Sequence, residues 1–185
     1  MQLKDNVALV LGAGGCDNIG QAIAHRYATE GAQVVVSGRN MAELHVLSEE
    51  IGGFAIGCDI TSLADIERLV AHTVQRLGRH TVAGNCVGLN LGKPFLETTD
   101  DELRRLYEVR FKGPFQFLQV VIPAMRDGGS IIRISSAASS ILLDDYAAYG
   151  GRRRQSIRSR VASRMNSVDG AFQSIPSLPD WCIRQ

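Results

Sequence analysis

The chain has 185 residues, 45% of them hydrophobic and 21% charged, with a formal net charge of +1. This suits one globular domain with a core of its own. No apolar run is long enough to span a bilayer and residues 1–5 do not begin a secretory signal, so a cytoplasmic protein with no membrane partner is expected.

Along the chain, an apolar run at residues 7–11 breaks into glycines at Gly12, Gly14 and Gly15. Helical spacing resumes with Ile19, Ala22, Ile23, Arg26 and Tyr27, Gly31 stops it, and residues 33–37 form a second apolar run. Strand, glycine turn, helix and strand within about 30 residues is the layout of a dinucleotide-binding βαβ unit. A pyrophosphate is met by backbone N–H groups and the positive end of a helix, which requires glycine where the backbone comes closest. Gly12 makes the tight turn in this reading, Ile19 opens the helix, and Gly20 lets helix and strand pack.

Residues 41–51 read as a short helix and 54–58 as a buried strand closed by a turn at residues 58–61. Ser62 can cap a helix that shares one face among Leu63, Ile66, Leu69, Val70, Val74 and Leu77. Residues 81–87 are a weaker strand. Thr99 or Asp100 caps a long helix reaching about Met125, in which Pro114 and Pro123 predict a kink or an early stop. Gly128 and Gly129 turn the chain into a fifth strand at residues 130–134. Five alternations of strand and helix predict an α/β fold, a Rossmann-type doubly wound parallel sheet.

Cys16, Cys58, Cys86 and Cys182 lie far apart and read as free thiols, with no metal site. His25, His45, His72 and His80 read as surface or packing residues. Charge is uneven. Residues 1–150 hold 13 basic and 17 acidic side chains, whereas residues 151–185 hold seven arginines and two aspartates.

In these residues the chain resembles the short-chain dehydrogenase/reductase family, over about residues 5–151. The glycine turn is similar to the family's TGxxxGxG with two residues added, Gly12, Asn18 and Gly20 falling on its conserved sites. This longer spacing resembles the enoyl-carrier-protein reductase branch. Asp59 and Ile60 match the pair that flanks adenine, and Asn85 and Gly88 keep the outer residues of the family's NNAG. Tyr149 follows Ser136 by the family's common serine-to-tyrosine spacing. The resemblance implies hydride transfer between NAD(P)(H) and a small-molecule carbonyl or secondary alcohol. Tyr149 would exchange the proton and Ser136 would hold the substrate oxygen. NAD-preferring members end the second strand with an acid; here Gly38 stands there with Arg39 next, which favours NADP and keeps NAD as the alternative. Two catalytic positions depart from the pattern: Arg153 stands where the family has lysine, and Arg110 where it has asparagine.

The family's later helices and strands have no counterpart after Tyr149. Residues 1–151 are therefore expected to form the NAD(P)-binding domain and residues 152–185 an arginine-rich, poorly ordered tail. The fifth strand would be left with an open edge, and a homo-oligomer would be weakened by the missing elements. Two other readings stand beside the oxidoreductase: a non-catalytic dinucleotide-binding remnant, and a nucleic-acid or acidic-partner binder using the tail. The second is disfavoured because no aromatics interleave the six arginines of residues 152–164. RRQSIRSR (residues 153–160) can be encoded by CGA AGG CAG TCG ATT CGC TCA CGC. From its third base that string reads Lys-Ala-Val-Asp-Ser-Leu-Thr, similar to the family's continuation. A change of reading frame just after Tyr149 is the corresponding hypothesis. Sequencing the encoding DNA across codon 150 is expected to reveal a reductase-like continuation in the shifted frame; early stop codons there would refute it.

Overall fold

The computed structural model describes residues 1–136 and 144–149. Five parallel strands run β1 (Val7–Leu11), β2 (Gln33–Gly38), β3 (Phe54–Gly57), β4 (His80–Asn85) and β5 (Met125–Arg133). Their order across the sheet is β3-β2-β1-β4-β5. Between them lie α1 (Ile19–Thr29), α2 (Met41–Glu50), α3 (Leu63–Leu77), α4 (Asp100–Tyr107) and α5 (Gly113–Val121). Because β1 pairs with β2 on one side and β4 on the other, the direction of winding reverses there and leaves a crevice at the strand ends.

The central strand is buried throughout, which is why its sequence is an unbroken apolar run. Successive side chains alternate faces. Leu9 and Leu11 join Ile66, Leu69, Phe117 and Val121 beneath α3 and α5, while Ala8 and Val10 join Ala24, Leu44 and Leu47 beneath α1 and α2. Four helices begin on polar caps: Asn18, Asn40, Ser62 and Thr99 each accept a first-turn amide, and Thr99 forms a reciprocal box with Glu102.

Two local readings are corrected, the inward face of α1 and the start of β5. The inward face of α1 is Gly20, Ile23, Ala24 and Tyr27, while Ile19 is 58% exposed. The contact of Gly20 with β1's exit sets this rotation: a Cβ there would lie 2.6 Å from the Gly12 carbonyl oxygen and 3.0 Å from the Ala13 Cα.

The helix begun at Asp100 is interrupted by a π-helical turn at Glu108–Lys112 and ends before β5 starts at Met125. Pro114 has no N–H for the Arg110 carbonyl, four residues earlier, and the Gly113 N–H reaches back to Glu108 instead. The Arg110 carbonyl accepts a hydrogen bond from Arg133 Nη2 at 2.6 Å. The second correction concerns β5, which carries the glycine pair inside it as a bulge. Six of its residues, Met125 to Ser130, stand opposite the three from His80 to Val82, with Gly128 at φ 76°. Among the described residues β5 pairs on one side only, with β4.

His80 is fully buried at the start of β4, and burial pushes its pKa down to about 4 from 6.5. The unfolded chain therefore binds more protons between those values. Stability is complete above about pH 6.5 and falls as the pH drops toward 4. Urea unfolding at pH 7 and pH 5 is expected to differ by about 2 kcal/mol or less from this source, and His80→Leu should remove that part of the slope. Gly20→Ala is expected to cost roughly 1–3 kcal/mol through overpacking, read from the shift of the urea midpoint at constant slope.

Candidate functional site

The crevice at the ends of β1, β2 and β4 is a cleft of about 930 Å³. Gly12 turns the chain out of β1 at φ 100°, and a Cβ there would lie 2.6 Å from the Val87 amide nitrogen, so the turn after β4 closes directly on it. The Gly12 and Ala13 amides donate to the Ser37 carbonyl at 2.7 and 3.0 Å, tying the turn to β2. Asn18 fixes the entry to α1 twice: Oδ1 accepts from the Gln21 amide at 2.9 Å, and Nδ2 donates to the Gly12 carbonyl at 3.0 Å. The first amides of a helix have no partner within it. In α1 these belong to Ile19 and Gly20, both of which line the cleft.

At the far end of β2, Gly38 packs against the glycine turn, where a Cβ would lie 3.1 Å from the Gly14 amide nitrogen. Arg39 follows, exposed on the cleft wall and without an ion-pair partner among the described residues. After β3, Asp59 Oδ1 accepts from the Thr61 amide and hydroxyl at 2.9 and 2.8 Å, which shapes the turn there. Asp59 and Ile60 line the cleft, Ile60 with most of its surface in the core.

Gly88 also lines the cleft, but Asn85 stands behind it. It is buried, its Oδ1 accepts from the Val87 amide at 3.0 Å, and its carbonyl accepts from the Ile134 amide at 3.1 Å. Asn85 thus shapes the loop and holds the end of β5.

Tyr149 is buried against Leu106, Leu89, Leu91 and Tyr146. Arg110, only 3% exposed, reaches it from the π-helical turn. Its Nη2 donates to the Tyr149 hydroxyl at 3.1 Å, and its Cζ lies 4.7 Å from the ring centroid. The same guanidinium grips the Leu89 carbonyl, with Nε at 2.9 Å and Nη2 also in contact. Leu89 lines the cleft, so Arg110 joins Tyr149 to the cleft wall. Ser136 lies just beyond β5 and is half-buried. Arg153 lies outside the described residues.

The sequence reading missed the wall contributed by α4 and the turn after it, including Arg104, Arg105, Glu108 and Val109. Their polar pattern reads as a solvated helix face, and Arg104 is already paired with Asp100 at 2.8 Å. Burial pushes the Cys58 thiol up to about 12 and that of Cys86 up to about 11, so neither supplies a thiolate near neutrality. Among the described residues, no helix is long and apolar enough to cross a membrane, and no group of His, Cys, Asp and Glu is placed to hold a metal.

Known proteins carry the same pattern. The chain matches the family model described as Enoyl-(Acyl carrier protein) reductase over residues 12–165, past the limit at 151 expected from the sequence. It is 36% identical over 158 residues to 7alpha-hydroxysteroid dehydrogenase of Escherichia coli (strain K12), covering 80% of this chain and 61% of that protein. With sorbitol dehydrogenase of Cereibacter sphaeroides it shares 33% identity over 143 residues, covering 75% and 55%. A solved short chain dehydrogenase from Mycobacterium smegmatis superposes with a TM-score of 0.84 at 25% identity, covering 95% of this chain and 78% of that one. The chain thus spans between 55% and 61% of the length of these two curated relatives. Since the family model runs from the glycine turn to beyond Tyr149, the chain belongs to the short-chain dehydrogenase/reductase family.

Proposed function

We propose that the chain is an oxidoreductase that transfers hydride between NADP(H) and a carbonyl or secondary alcohol. The observation that carries this reading is the continuity of the cleft. The glycine turn and the start of α1 line the same cleft as Leu89, whose carbonyl shares the Arg110 guanidinium with the Tyr149 hydroxyl.

The donor set fits a dinucleotide. Amides at the head of α1 suit a pyrophosphate, and the backbone there is bare enough for close approach. Asp59 and Ile60 are read as flanking adenine, and Arg39 as meeting a 2′-phosphate beside a Gly38 that carries no acid. When bound, the nicotinamide supplies or accepts the hydride. Tyr149 gives its proton to the substrate oxygen in reduction and takes it back in oxidation, while Ser136 orients that oxygen by a hydrogen bond. Arg153 is read as taking the family lysine's place at the nicotinamide ribose. The names of the two relatives, a hydroxysteroid and a sorbitol dehydrogenase, support a hydroxyl or carbonyl group as the reacting centre.

A second reading, a dinucleotide-binding protein without turnover, draws support from arginine at positions 110 and 153. Fluorescence titration is expected to show tighter binding of NADPH than of NADH, with Arg39→Ala erasing the difference; binding of neither would sink both readings. Turnover of a ketone and alcohol panel should fall by about 10²–10⁴ in Tyr149→Phe. Binding with no turnover by the parent chain would favour the second reading.

A further inference from the structure

We propose that Arg110 is the cation that serves Tyr149, stabilising the phenolate left behind when its proton passes to a substrate oxygen. This rests on the role given to Tyr149 above. The chemistry of the contact fixes its direction: guanidinium has five N–H donors and no acceptor, so in the 3.1 Å bond the phenol oxygen must accept. The tyrosine's own proton therefore lies outside that bond. A donor aimed at the oxygen favours the charged form over the neutral one, and a fixed positive charge adds to the preference.

Arg110 is held for this task from both ends. Its carbonyl accepts a hydrogen bond from Arg133 Nη2, at the end of β5, at 2.6 Å. At the other end Nε is anchored on the Leu89 carbonyl at 2.9 Å. The guanidinium is thus directed at Tyr149 by a helix, a strand end and a loop together. The described groups packed on the ring are Leu89, Leu91 and Leu106, the neighbouring Ala148, and Tyr146, whose ring meets it edge-on at 5.7 Å. Arg110 brings the positive charge to this ring.

In the step itself, the Tyr149 O–H bond breaks and its proton bonds to a lone pair of the substrate oxygen. The electron pair stays on the phenolate, against Arg110. A proton taken up from solution then re-forms the Tyr149 O–H bond, so each reduction consumes one solvent proton.

Tyrosinate absorbance against pH tests this without cofactor or substrate, with the difference between the parent and Tyr149→Phe isolating one of the four tyrosines. The Tyr149 midpoint is expected at least about one unit below the ordinary value of about 10. Arg110→Gln should raise it by about one unit or more, and Arg110→Lys, which keeps the charge, should restore most of the shift. A parent midpoint at or above the ordinary value overturns the proposal, as does a shift abolished by Arg153→Gln but kept in Arg110→Gln. If Arg110→Gln does not fold, the parent midpoint and the Arg110→Lys midpoint decide. A chain with the shifted midpoint and no turnover would reject the oxidoreductase reading alone; turnover with an unshifted midpoint would reject the role of Arg110 alone.

Discussion

Everything at the open end of this sheet depends on main chain touching main chain. At Gly12 the turn meets the backbone after β4, at Gly20 the first helix meets the turn, and at Gly38 the end of β2 meets it again. A single methyl at any of these points would stand 2.6 to 3.1 Å from backbone atoms, so the three contacts admit no side chain without displacement. Their combined result is a floor of peptide groups at the place where the strand order reverses. Such a floor can approach an anion closely, whereas one covered by side chains would hold it off.

The strands were legible because the sheet is covered on both sides and its apolar runs admit no other use. Val7–Leu11 and the run at residues 33–37 stand where the spacing put them. Caps were legible too, since Ser62 and Thr99 precede helices with a carboxylate three residues on. The rotation of α1 was not. Ile19 belongs to its apolar stripe in the sequence, but the contact between Gly20 and Gly12 is a tertiary constraint, and it turns Ile19 outward to the cleft.

The site was legible in part for a similar reason. Gly12, Asn18 and Gly20 form a local pattern, and a local pattern shows in sequence. Arg110 and Tyr149 are 39 residues apart, and only the packing of α4, the turn after it and the loop after β4 shows that one side chain reaches the other. The substitution that looked like the loss of a family asparagine places a buried charge on the phenol. The arginines of α4 were overlooked because a solvated helix face and a cleft wall have the same composition.

The hydrogen bond from Arg133 to the Arg110 carbonyl has a mechanical consequence. It is a latch between the last turn of sheet pairing and the helix that carries the charge, closed only while β5 stays zipped to β4 as far as its end. Fraying of that strand end withdraws the latch, and the guanidinium loses its backbone support in the same motion. Among the described residues, order at the end of β5 and order around the Tyr149 hydroxyl are therefore coupled through Arg110.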